Sequence, residues 1–278
     1  MKNLFKFAAL SAAALAIGTA SLSYAADSTI PEVKAILDRG VLKVGVKNAV
    51  AGFSVEDPLT GNYKGLEDDL ARLIAKDLGV DVEFTAVNTA TRTELIDAGD
   101  LDVVLATFTI SDERKTHWDI TTPYYTDYVT VMVNDKSGIK NLKDLTGKVA
   151  GIASGSTSAR ALVQAMIDSK LIEGQGFEPS TFDAQTWTEG VSFQQYDDFP
   201  AISTALSAGQ IDAICVDKSI LNIYKLPGRS YIQEQFAPQS YGAVTKKGSG
   251  LSTYINGLIE GWINDGTIDQ LKKDNGLD

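Results

Sequence analysis

The sequence predicts an α/β fold of two lobes, each a mostly parallel sheet flanked by helices. Short apolar strand patterns alternate with amphipathic helix patterns, an order that implies right-handed crossovers and sheets covered on both faces. The same order starts afresh near Val129, and the 278 residues are enough for one large core or two modest ones. The elements follow in chain order.

Lys2 and Lys6, an apolar run from Phe7 to Ala20 and the small residues around Ser23-Tyr24-Ala25 have the layout of a cleavable export signal over residues 1–25. The run is short for a membrane span, and no later segment approaches the roughly 20 apolar residues that one needs. Pro31 to Arg39 reads as a short helix and Val41 to Val46 (VLKVGV) as an alternating strand. From Leu66 to Leu78 the residues Leu66, Leu70, Leu73, Ile74 and Leu78 share one helical face, and Gly79 marks the stop. Asp81 to Val87 is the next strand, Thr91 to Ala98 a helix closed by Gly99, and Leu101 to Ala106 the third strand.

After the restart, Val129 to Val133 and Val149 to Ile152 read as strands separated by a helical turn at Leu142 to Leu145. A helix from Ser158 to Leu171, a strand at Val191 to Tyr196, a helix from Phe199 to Ser207 and a strand around Cys215 follow. Glu173 to Gly190 fits neither period and is expected to be an inserted surface loop or hairpin. Ser240 to Thr245 (SYGAVT) reads as a strand, Leu251 to Asn264 as an amphipathic helix and Thr267 to Lys272 as a short final one.

Composition narrows the function. The chain carries 25 Lys and Arg against 36 Asp and Glu, a net charge of −11, which argues against nucleic acid or an anionic membrane as a partner. Cys215 is the sole cysteine, so an internal disulfide is excluded, and its apolar setting suits a buried small hydrophobe. His117 is the sole histidine, expected on a surface helix or loop, which leaves no basis for a zinc site or a Ser-His-Asp triad.

Ligands of such sheets sit beyond the carboxyl ends of the strands. The segment Asp102 to Lys115 (DVVLATFTISDERK) runs from a strand through Thr107, Thr109 and Ser111 to Arg114, a side chain that grips a carboxylate with two parallel hydrogen bonds. Ile211 to Ser219 (IDAICVDKS) ends instead on an anion, Asp217. Ser154 to Ser158 falls at a third strand end; its Gly155-Ser156-Thr157 turn suits either an ordinary helix cap or a seat for an anion.

From RGVLKVGV through GLEDDLARLIAKDLGV, ATFTISDERK, TTPYYTDY and VDKSI to SYGAVTKKG, the chain resembles the polar amino-acid-binding proteins of ABC uptake systems, solute-binding family 3. AVNTATRTELID and FAPQSYGAVTKK look most like the members that bind aspartate and glutamate. The resemblance implies the type II periplasmic-binding-protein fold, with residues 26–125 and 242–278 in one lobe, 126–241 in the other, and a two-segment hinge near Tyr124–Tyr128 and Pro238–Tyr241.

It also implies roles. Arg114 takes the ligand α-carboxylate, helped by Thr109 and the backbone at Thr107, while Asp217 takes the α-ammonium. The Gly155-Ser156-Thr157 turn adds backbone N–H groups and a hydroxyl, with Ser156 and Thr157 as contacts. Lys47 stands where many members carry an acid, and Arg92 lies in a segment that is aromatic-led in others; two cations at the distal end suit a second carboxylate. Phe53 is expected in the pocket wall, although Ala51 and Gly52 replace the customary prolines before it.

The implied protein is a monomeric periplasmic capture protein that delivers aspartate or glutamate to an ABC permease, with no cofactor, no metal and no catalysis. Alternatives are a binder of an amide amino acid such as glutamine, a dehydratase of the cyclohexadienyl type on the same fold, and a sensory or scaffold module without transport.

Overall fold

In the computed structural model, which describes residues 27–277, two large sheets and one small one organise the chain. The expected export signal, residues 1–25, lies outside the described residues. The first part contains α1 (Pro31–Arg39), β1 (Val41–Val46), β2 (Ala49–Val50), β3 (Ser54–Glu56), β4 (Tyr63–Lys64), α2 (Leu66–Leu78), β5 (Asp81–Ala86), α3 (Thr91–Ala98), β6 (Val103–Leu105), α4 (Asp112–His117) and β7 (Trp118–Ile120). The second contains β8 (Tyr125–Asn134), β9 (Lys148–Ala153), α5 (Ser158–Asp168), β10 (Val191–Tyr196), α6 (Phe199–Ala208), β11 (Ala213–Asp217), α7 (Lys218–Asn222), β12 (Arg229–Tyr231) and β13 (Phe236–Tyr241). The chain then returns to the first sheet through β14 (Val244–Lys246), α8 (Gly250–Asn264) and α9 (Thr267–Asp274).

The first sheet has the order β5-β1-β6-β14-β7 and the second β10-β9-β11-β8-β12, with β13 also paired to β8. Both are mixed. In each, three strands run parallel, β5-β1-β6 and β10-β9-β11, while β14, β7, β8, β12 and β13 pair antiparallel. All three residues of β6 and all five of β11 are buried, because helices cover both faces of these central strands.

SYGAVT is not one strand. Its first half ends β13 and its second begins β14, with Gly242 and Ala243 between, because the chain changes sheets there. Alternating polarity reports a half-buried extended chain and not its partner. The other connection runs from Ile120 to Tyr125, and the two lie side by side: Tyr124 N donates to Tyr241 O at 2.9 Å and Thr121 N to Ala243 O at 3.0 Å. A Cβ on Gly242 would lie 2.7 Å from Ile120 Cγ2 and 2.9 Å from the Thr121 carbonyl oxygen, so glycine lets the strands close up. Of the expected hinge segments, Tyr124–Tyr128 and Pro238–Tyr241, residues Tyr125–Tyr128 pair with Pro238–Tyr241 within the second sheet.

One apolar core includes Leu42, Val44, Leu70, Ile74 and Ile255 around the first sheet and Ile202, Leu206, Ile214 and Ile220 around the second, with Tyr124 and Tyr241 in the same cluster. Fully burying each such aliphatic side chain is worth about 1.5–3 kcal/mol. Glu173 to Gly190 forms turns without helix or strand. It is nonetheless a packed loop: the Phe182 ring meets Phe177 and Phe193 edge-on and Trp187 at a tilt, and the Glu189 carboxylate accepts the backbone N–H groups of Glu173, Gly174 and Gln175.

Candidate functional site

The carboxyl ends of the parallel strands converge on a cleft between the two sheets. A cavity of about 300 Å³ there is lined by Thr89, Arg92, Thr107, Thr109, Arg114, Ser156, Thr157, Ser158, Phe199, Val216, Asp217 and Ile220. The topology explains the convergence: Thr107 and Thr109 follow β6, Ser156 and Thr157 follow β9, Asp217 ends β11, and Arg92 and Arg114 belong to α3 and α4. Most of the expected side chains therefore share one wall system. Lys47 lies next door, in a space of about 320 Å³ that shares Thr89 and Phe199 with this cavity. Phe53 is placed differently: it is fully buried with its ring edge-on to Tyr125 and Tyr241 at 5.0 and 5.6 Å, a packing role beside the connecting segments and not in the cavity lining.

Arg114 spans the cleft. Its Nη1 donates to the Thr109 carbonyl at 3.0 Å and its Nη2 to the Gly155 carbonyl on the opposite sheet, also at 3.0 Å. Arg92, 2 % exposed, donates through Nη1 to the carbonyls of Ala106 and Thr107. Both guanidiniums lie against the Phe108 ring, at 4.4 Å for Arg92 and 4.3 Å for Arg114, a cation–π arrangement strengthened by desolvation. Burial and their mutual proximity lower Arg92 to about 9, and burial with the charge of Arg160 lowers Arg114 to about 10, so both stay cationic at neutral pH.

Asp217 accepts the Tyr241 hydroxyl proton donor through Oδ2. Burial raises its pKa to about 7, against the lowering effect of that hydrogen bond. Lys47 Nζ donates to Thr89 Oγ1 at 2.7 Å, and burial, then the charge of Arg92, drives its pKa well below the usual lysine range. An arriving anion would restore that charge.

The Gly155-Ser156-Thr157 turn leads directly into α5. Thr157 Oγ1 is committed to Gln239 Oε1 at 2.7 Å and makes no side-chain cap, so the first-turn N–H groups of α5 are left to face the cavity end of the helix dipole. Gly155, at φ 72°, lets the turn approach the first sheet: a Cβ would sit 3.1 Å from the Thr89 carbonyl oxygen.

Two further residues matter that the sequence reading did not single out. Gln239 Oε1 accepts from Thr109 Oγ1 at 2.8 Å as well as from Thr157, tying a strand end of each sheet to one amide. Glu67, fully buried in the first turn of α2, accepts Thr107 N–H and the Tyr124 hydroxyl, each at 2.5 Å. That clamp holds Thr107 at φ 47°, a left-handed conformation costing a β-branched residue on the order of 1–3 kcal/mol. Glu67 also supplies negative charge to Lys47 and Arg92, while burial pushes its own carboxyl up.

Cross-cleft contacts hold the arrangement closed. Arg160 Nη1 meets Glu113 Oε2 at 2.5 Å, and the Tyr224 hydroxyl reaches the Ala49 carbonyl at 3.4 Å. No group of three or more metal-ligating side chains occurs among the described residues.

Residues 42–276 match the family model of bacterial extracellular solute-binding proteins, family 3. The chain is 28% identical over 291 residues to the ABC transporter glutamine-binding protein GlnH of Bacillus subtilis, covering 98% of this chain and 97% of that one. It is 30% identical over 268 residues to the L-cystine-binding protein TcyJ of Escherichia coli K12, covering 94% and 91%. Among solved structures, an ancestral arginine-binding protein bound to arginine superimposes with a TM-score of 0.70 at 30% identity, covering 85% of this chain and 98% of that one.

Proposed function

The chain belongs to the bacterial extracellular solute-binding proteins, family 3, and from that premise we propose that it captures an acidic amino acid, aspartate or glutamate, outside the cytoplasmic membrane and presents it to an ABC permease. Arg114 and the α5 turn receive the α-carboxylate, Asp217 the α-ammonium, and Arg92 with Lys47 the distal carboxylate. The supporting observation is the charge of the buried wall. In the cavity lining Arg92 and Arg114 stand against Asp217, an excess of one positive charge that a ligand of net −1 neutralises. Glutamine would leave that excess in place and arginine would double it, at a cost that low dielectric magnifies.

Binding needs no chemistry on this reading. The ligand docks on the first sheet, the second closes over it about the paired connections at Thr121–Tyr124 and Gly242–Ala243, and closure excludes water from each charge-assisted contact. Among the described residues Asp217 is the one carboxyl of the cavity lining, and on this reading it is taken by the α-ammonium, which leaves no second acid in the lining for a dehydratase proton donor. A thermal-shift panel of amino acids tests the assignment, since a ligand at about 100 times its dissociation constant adds roughly 2.7 kcal/mol to the folded state. Aspartate or glutamate should give the largest shift; a larger shift with glutamine, cystine or arginine would refute the acidic reading.

A further inference from the structure

We propose that the cleft is built for an acidic amino acid longer than glutamate, whose distal anion passes Thr89 and Arg92 and lodges in an adjoining outer chamber beside Arg160. This rests on the acidic amino-acid reading above, adds the length of the ligand, and takes the distal anion of a longer acid past Arg92 toward Arg160 instead of toward Lys47.

The outer chamber is partly open to solvent and spans about 980 Å³ with that open space included, against about 300 Å³ for the inner cavity, and the two share Thr89, Arg92, Arg114, Ser156 and Thr157 as lining. Three guanidiniums, of Arg92, Arg114 and Arg160, face it, with Glu113 as its carboxylate, and Glu113 is already paired with Arg160 at 2.5 Å. In a chain of net charge −11 this is a local field of the opposite sign, suited to an anion. Two polar atoms on the shared wall, Arg92 Nε and Ser156 Oγ, are buried with no hydrogen-bond partner among the described residues. Buried donors of that kind cost free energy until something accepts from them.

The walls also suit a methylene chain. Phe108 underlies Arg92 and Arg114, and Trp118 and Phe182 complete apolar sides. The packed loop from Glu173 to Gly190 supplies the roof through Pro179, Ser180 and Phe182, and the Pro179 carbonyl accepts from Arg160 Nη1 at 3.0 Å, which fixes that cation over the chamber. Aspartate and glutamate, seated on Arg114 and Asp217, would leave this space unused.

Isothermal titration of the intact protein with L-aspartate, L-glutamate, L-2-aminoadipate and L-2-aminopimelate tests the inference. A longer acid should bind about tenfold more tightly than glutamate, and Arg160→Gln should abolish that advantage, read as the ratio of the two affinities within the variant so that the loss of the Glu113 ion pair cancels. Glu113→Gln breaks the same ion pair but keeps the cation, so it should retain the advantage. Affinity that drops steadily beyond glutamate, or an advantage that survives Arg160→Gln, overturns the inference and leaves the shorter-ligand reading standing. Failure of all four acids to bind overturns both.

Discussion

Arg114 and Gly155 meet across the cleft, the guanidinium Nη2 donating to the glycine carbonyl at 3.0 Å. The side chain assigned to the ligand carboxylate is therefore also a strut between the two sheets, so capture and closure depend on the same group. Removing it loses both functions at once.

Arg114→Ala should cost on the order of 3–5 kcal/mol of affinity for every amino acid that binds, because a buried carboxylate is left unpaired. Calorimetry on the folded variant measures this. Near-normal aspartate or glutamate binding would remove Arg114 from the carboxylate clamp.

Arg92→Gln separates selectivity from binding. The glutamine side chain gives up the charge while remaining a neutral amide, so aspartate and glutamate should weaken about tenfold or more while glutamine changes by less than about threefold. Equal losses for acids and amide, read by competition titration, would make Arg92 a structural residue only.

Asp217 sets a pH dependence. Its pKa in the empty site is raised to about 7 by burial, and an α-ammonium binds the ionised form. Lowering the pH through about 7 therefore protonates the acceptor and weakens binding, by up to about tenfold per pH unit below it. In Asp217→Asn binding should be weak and flat with pH; a wild-type profile unchanged from pH 8 to pH 5 contradicts the role.

Asp68 gives a stability profile of opposite utility. Burial raises its pKa from 3.8 to about 8, while Ser54 Oγ donates to its Oδ1 at 2.8 Å. Between those values the native state holds a proton that the unfolded chain has released, so this group makes stability fall as pH rises from about 4 to about 8. Asp68→Asn should flatten that part of the profile in chemical denaturation; an unchanged slope would show that Asp68 is ionised in the native protein.

Much of the fold is legible in the sequence where one period dominates. The stripe Leu66, Leu70, Ile74 and Leu78 marks α2 because a single face meets the core, and β6 and β11 announce themselves as short continuous apolar runs. The strands β2, β3 and β4 hold two or three residues each, too few for any period to register. The mixed pairing was not legible either, since strand direction depends on which way the chain re-enters a sheet.

The cavity residues follow the same division. Arg114 and Asp217 stand out as charges at the ends of apolar strands. Glu67 does not, because an acid in the first turn of an amphipathic helix has a sufficient explanation in the helix dipole, and only the tertiary fold turns it toward Thr107 and Tyr124. Gln239 is hidden in FAPQSY for a similar reason: its partners Thr109 and Thr157 come from distant strand ends. An aromatic at Phe53 suits a pocket wall by sequence alone, yet its neighbours Tyr125 and Tyr241 take it into the packing beside the connections.

The most direct test of the central claim is calorimetric titration of the ligand-free protein with L-glutamate and L-aspartate against L-glutamine at pH 8, where Asp217 is ionised. The account predicts that at least one acid binds more tightly than the amide by about tenfold or more, since the buried excess of positive charge is neutralised only by a ligand of net −1. Tighter binding of glutamine than of either acid would contradict it.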